Sequence, residues 1–128
     1  MKKSVQTEHA PAAIGPYNQG IVADGSKLLF TAGQIPLIPG TDTMRNDSIE
    51  EATEQVFENV KVILAAAGTT LENVIKMTVF LADMSEFAAM NAVYAKYFPN
   101  HPPARSAVQV AALPKGARIE IEAIALVP

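Results

Sequence analysis

Between Ile49 and Ala67, apolar side chains recur every three or four residues: Ile49, Ala52, Val56, Val60, Ile63 and Ala67. Glu50, Glu54, Glu58 and Lys61 fill the opposite side, so the stretch predicts an amphipathic helix with a solvated outer face. Ser48 followed by Glu51 is a capping box, in which hydroxyl and carboxylate satisfy the free amides of a helix start, and Gly68 supplies the stop. A second helical period runs through Phe87, Met90, Tyr94 and Tyr97 and ends at Pro99, with Asp83 and Glu86 repeating the cap signature. The β-branched run Val74–Leu81 between the helices predicts a strand. Arg105–Val110 and Arg118–Val127 predict two more, joined across Leu113–Gly116. Near the start, Asp24-Gly25-Ser26 separates Gln19–Ala23 from Lys27–Thr31, the pattern of a hairpin. Gly33 to Asp47, broken by Pro36, Pro39 and Gly40, reads as loop. Strands, helix, strand, helix, two strands is the order of an α+β layer fold, with no linker or repeat to divide it.

Composition narrows the function classes. The 128 residues suit one domain, and 49% hydrophobic against 18% charged gives either a generous core or a surface that another subunit covers. A net charge of −3 gives no long-range attraction for nucleic acid. The absence of cysteine removes disulfides, thiolate catalysis and cysteine metal sites. His9 and His101 stand alone without metal-ligand spacing, and no phosphate-binding glycine loop or Gly-x-Ser-x-Gly elbow occurs, so the expected chemistry uses neither metal nor cofactor. Lys2-Lys3 leads into polar residues and no apolar run reaches membrane length, which predicts a soluble, cytoplasmic protein.

Chemistry concentrates in the last quarter. Pro102 and Pro103 hold the approach to Arg105 extended, and on a strand Arg105, Ala107 and Gln109 share a face. A guanidinium donates two parallel hydrogen bonds to a carboxylate, which lysine cannot copy; the alternative is an arginine reaching from a strand end to water. In the final strand Ile119, Ile121, Ala123, Ala125 and Val127 form the apolar face, with Arg118, Glu120 and Glu122 opposite. Alternation does not choose between the two carboxylates. If the last two strands pair directly, Arg105 faces a residue near Ile124 rather than Glu120, and a site using both needs other strands or another subunit. Upstream, Gly15-Pro16 fixes a turn before Tyr17, and Gly33 in Thr31-Ala32-Gly33-Gln34-Ile35-Pro36 permits close backbone approach.

These segments, in order from about Thr7 to Val127, resemble the RidA (YjgF) family of reactive-intermediate deaminases. The resemblance implies a mixed six-stranded sheet with two helices on one face, in a homotrimer like the trimeric chorismate mutases, with pockets at subunit interfaces. It implies hydrolysis of 2-imino or 2-enamino acids such as 2-aminoacrylate and 2-aminocrotonate to 2-keto acids and ammonia, protecting pyridoxal-phosphate enzymes. Arg105 would anchor the substrate carboxylate, Glu120 handle the proton and position water, and Tyr17 wall the pocket. Gly33, Ala107 and Phe87 would line the substrate. Many relatives carry cysteine where this chain has Ala107, and residues 37–46 lack the Thr-Gly-Glu run common among them. A small-acid-binding regulatory trimer is the second class, and an endoribonuclease or translation inhibitor the third.

Overall fold

The computed structural model describes residues 1–128. Its elements are strands β1 (Lys2–Val5), β2 (Gly20–Ala23) and β3 (Leu28–Phe30), helix α1 (Ile49–Ala66), strand β4 (Val74–Leu81), helix α2 (Phe87–Tyr97), and strands β5 (Ala104–Gln109) and β6 (Ile119–Leu126). Helix α1 begins where its cap predicts: the Ser48 hydroxyl accepts from the Glu51 amide at 3.1 Å. It ends in a Schellman motif, with Gly68 at φ 81° and the amides of Gly68 and Thr69 donating to Ala65 and Leu64. Asp83 caps a single tight turn, Met84–Glu86, and α2 follows only from Phe87.

Four strands form one sheet in the order β3-β6-β4-β5, with β5 parallel to β4 and β6 antiparallel to both β4 and β3. Strand β4 takes an interior place between β6 and β5, and so the last two strands never pair. The expected single six-stranded sheet is instead a four-stranded sheet and a separate β1–β2 ribbon. Of the isolated bridges, that between Asn18 and Ala104 ties the segment before β2 to β5. The hairpin expected at Asp24-Gly25-Ser26 does not form. β2 pairs with β1, a strand the hydrophobic pattern does not announce, and β3 pairs with β6. Asp24 and Gly25 become a corner held by Met1, whose carbonyl accepts from the Asp24 amide at 2.7 Å.

Both helices cover one face of the four-stranded sheet. Met77, Val79 and Leu81 of β4 and Ile119, Ile121, Ala123 and Ala125 of β6 are buried there beneath Val56, Phe57, Val60, Leu64, Met90 and Tyr94. Phe57 centres this layer, stacked on Tyr97 at 4.3 Å and edge-on to Tyr94 at 5.5 Å; burying such a ring contributes about 1.5–3 kcal/mol. The other face carries Phe80, Ile124, Phe30 and Val108 among Lys76, Thr78, Ser106, Glu120 and Glu122. No element of the chain covers it, and Phe30 is 66% and Val108 44% exposed.

Candidate active site

Arg105 sits on the edge strand β5, opposite Met77 of β4, and therefore points to the helix side of the sheet. Its guanidinium is half-buried and enclosed by three rings, with Tyr94 at 4.7 Å, Tyr17 at 5.2 Å and Phe87 at 5.4 Å from its central carbon to the ring centroids. Nη1 donates to Oδ1 of Asn91 at 2.7 Å. The ion pairs of the chain, Arg45–Glu54, Lys61–Glu58 and Arg118–Glu86, leave Arg105 without an acidic partner. Burial lowers its pKa, and the neighbouring tyrosines Tyr94 and Tyr17 oppose that shift. A desolvated cation with unspent donors on its planar fork is built to receive an anion.

The turn before Tyr17 explains how it reaches this place. Around Pro16 the Tyr17 amide donates to the Gly15 carbonyl at 2.8 Å, and the tyrosine hydroxyl accepts from the Ile14 amide at 3.4 Å. Asn18 then fastens the turn to β5, its side-chain amide donating to the Pro102 carbonyl at 2.6 Å and its backbone amide to Pro103 at 3.1 Å. Ala107 shares the Arg105 face, beside Val79. Because Val110 donates to the Leu81 carbonyl, the alternation of a parallel ladder turns the Ala107 amide to the outer edge of β5.

Glu120 lies elsewhere. It pairs in register with Phe80, on the uncovered face of the sheet, half-buried and packed over Gly33. Arg105, Tyr17, Phe87 and Ala107 thus gather on the helix side, and Glu120 and Gly33 on the other. One chain does not bring the two groups together. Arg118, just before β6, is fastened to Glu86 at 2.9 Å and to the Asn46 carbonyl at 2.9 Å.

Two residues of the Arg105 cluster escape the sequence reading of chemistry. Asn91 and Tyr94 lie four and seven residues after Phe87, on the same helical stripe, so a lone amide within an apolar face was the available signal. The Tyr94 hydroxyl is buried with no hydrogen-bond partner, and burial pushes its pKa above the ordinary tyrosine range while Arg105 pulls it back. A cavity of about 710 Å³ occupies a different part of the molecule, lined by residues that include Lys2, Lys27, Glu72, Tyr97, His101 and Pro128. It contains none of the residues above, and the Lys2 ammonium within it is spent on the carbonyls of Val74 and His101 at 2.8 and 2.9 Å. No group of three His, Cys, Asp or Glu stands close enough to hold a metal ion.

Comparison with known proteins places this arrangement in context. The family model described as endoribonuclease L-PSP matches residues 7–127. A RutC family protein of Pyrococcus horikoshii is 54% identical over 125 residues, covering 98% of each chain. The chloroplastic Reactive Intermediate Deaminase A of Arabidopsis thaliana is 51% identical over 124 residues, 97% of this chain and 65% of that protein. Among solved structures, Escherichia coli TdcF with bound serine superposes with a TM-score of 0.75 at 45% identity, covering 98% of this chain and 99% of that one.

Proposed function

Because this chain belongs to the L-PSP (YjgF/RidA) family, we propose that it is a deaminase of reactive 2-imino and 2-enamino acids, hydrolysing them to 2-keto acids and ammonia. The observation that carries the proposal is the Arg105 guanidinium, half-buried among three aromatic rings and free of any acidic partner. It would take the substrate carboxylate in a two-pronged grip, each charge-assisted bond contributing about 1.5–3 kcal/mol. Tyr17 and Phe87 would wall the α-carbon and side chain, and the outward Ala107 amide would add a donor. An iminium carbon is already electrophilic. Water adds to it, and Glu120 takes one proton from the water and returns it to the departing nitrogen. As the carbon–nitrogen bond breaks, the remaining hydroxyl proton passes to Glu120 and the carbonyl forms. A positioned carboxylate contributes about 10²–10⁴-fold to such a step.

Arg105 and Glu120 point from opposite faces of one sheet, so in this reading Glu120 of a second copy completes the pocket, within a homotrimer that also covers Phe30 and Val108. The substrates that fit are small: 2-aminoacrylate and 2-aminocrotonate, released by pyridoxal-phosphate dehydratases acting on serine and threonine. Relatives bearing the name reactive intermediate deaminase support the reaction class. The endoribonuclease name of the family model is a weaker guide, since a net charge of −3 and a single guanidinium set among aromatic rings offer little to a polyanion.

The test is keto-acid release from imines generated in situ by a dehydratase, with and without the protein. Acceleration that disappears in Arg105→Ala supports the anchor. Glu120→Gln should keep keto-acid binding while turnover drops about 10²–10⁴-fold. Binding of keto acids without acceleration by the parent protein would instead make this a regulatory binder.

A further inference from the structure

Gly33 follows the end of β3, where the pairing with β6 slips. Phe30 lies opposite Ile124 and Gln34 opposite Ile121, so four steps along one chain match three along the other. Such a bulge re-aims whatever side chain lies beside it. Glycine is the ordinary choice where φ is positive, yet the positive-φ positions of this chain are Gly40, Gly68, Gly116 and Lys115, and Gly33 is not among them. The backbone at Gly33 is therefore not held in the left-handed region that calls for glycine. What excludes a side chain is one neighbour. A Cβ built on Gly33 would stand 2.5 Å from Oε2, 2.8 Å from Cδ and 3.0 Å from Cγ of Glu120, and these are its three nearest atoms. The space that alanine would fill is occupied by the Glu120 carboxylate.

We propose that Gly33 is a positioning residue for Glu120: the missing side chain is the seat in which the carboxylate rests over the β3–β6 bulge. The consequence is specific. The atoms in the way are the far end of a flexible side chain, so an alanine here moves the carboxylate and leaves the fold in place. The backbone amide of residue 33 is retained in that variant, so a loss confined to turnover separates seating of Glu120 from any use of the amide to hold a ligand. The inference rests on the acid/base reading of Glu120.

The experiment compares Gly33→Ala, Glu120→Gln and the double variant in imine hydrolysis and in 2-ketobutyrate binding, with a crystal structure of Gly33→Ala. Gly33→Ala should lower kcat about 10- to 100-fold, the scale of a misplaced catalytic group, with keto-acid affinity and melting temperature close to those of the parent. In the Glu120→Gln background the same change should cost nothing further, and the crystal structure should show the carboxylate displaced from its seat. Parental turnover in Gly33→Ala, or a fall in keto-acid affinity as large as the fall in kcat, would overturn the proposal. If Glu120→Gln proves fully active, the acid/base reading fails on its own account. The seat is then judged by the crystal structure alone: Glu120 moved supports it, Glu120 unmoved overturns it.

Discussion

Asn91 determines how the Arg105 fork is presented. Its Oδ1 accepts from Nη1 at 2.7 Å and so fixes the plane of a group set among three rings. The amide oxygen orients without neutralising, which a carboxylate in the same place could not do. Asn91→Ala should therefore weaken keto-acid binding modestly, about 3- to 10-fold, by releasing one hydrogen bond worth about 1 kcal/mol. Asn91→Asp should be the more damaging change despite its closer shape, because it supplies an anion that, in the proposed site, a substrate carboxylate would have to displace. Calorimetric titration of 2-ketobutyrate into the two variants decides the order. An aspartate variant that binds as well as the parent would mean that Arg105 is not the anchor. Nothing about Asn91 in isolation marks it as functional; its meaning comes from standing on the same stripe as Phe87 and Tyr94.

Helix α1 is legible because everything that makes it is local: the apolar period, the Ser48 cap and the Gly68 stop all lie within one stretch of chain. Gly68 holds φ 81°, and a Cβ there would meet no atom within 4 Å. Gly68→Ala thus tests backbone conformation alone. It should cost about 1–2 kcal/mol for a side chain forced into the left-handed region, read as a fall of several degrees in melting temperature. An unchanged melting temperature would mean that the helix end refolds around the substitution. Strand partners are less legible, because pairing is decided by segments far apart. The Asp24-Gly25 signal is a sound turn signal, but Lys2–Val5 takes the edge of β2 and β6 takes β3, so the turn closes no hairpin. The same non-local choice puts β4 between β5 and β6. That placement separates Arg105 from Glu120 by a strand and, through side-chain alternation, by the thickness of the sheet.

At the scale of the molecule, that separation ties the apolar excess of the composition to the chemistry. The face carrying Glu120 also carries Phe30, Phe80, Val108 and Ile124, with nothing of the chain's own to cover them. Covering that face with a second copy would bury these side chains and bring Glu120 to a surface where another chain's Arg105 can meet it. If the proposed site is shared in this way, neither copy needs both residues. Co-refolding equal amounts of Arg105→Ala and Glu120→Gln chains, each inactive alone, should then restore activity. In a ring built from one repeated head-to-tail interface, half of the positions supply an intact arginine and half of their neighbours an intact glutamate, so about a quarter of the sites are whole. Turnover near that fraction of the parent would establish a site made by two chains. No recovery, with mixed oligomers verified by mass spectrometry, would require Arg105 and Glu120 to act within one chain, and the sheet between them forbids that without rearrangement of β5 or β6.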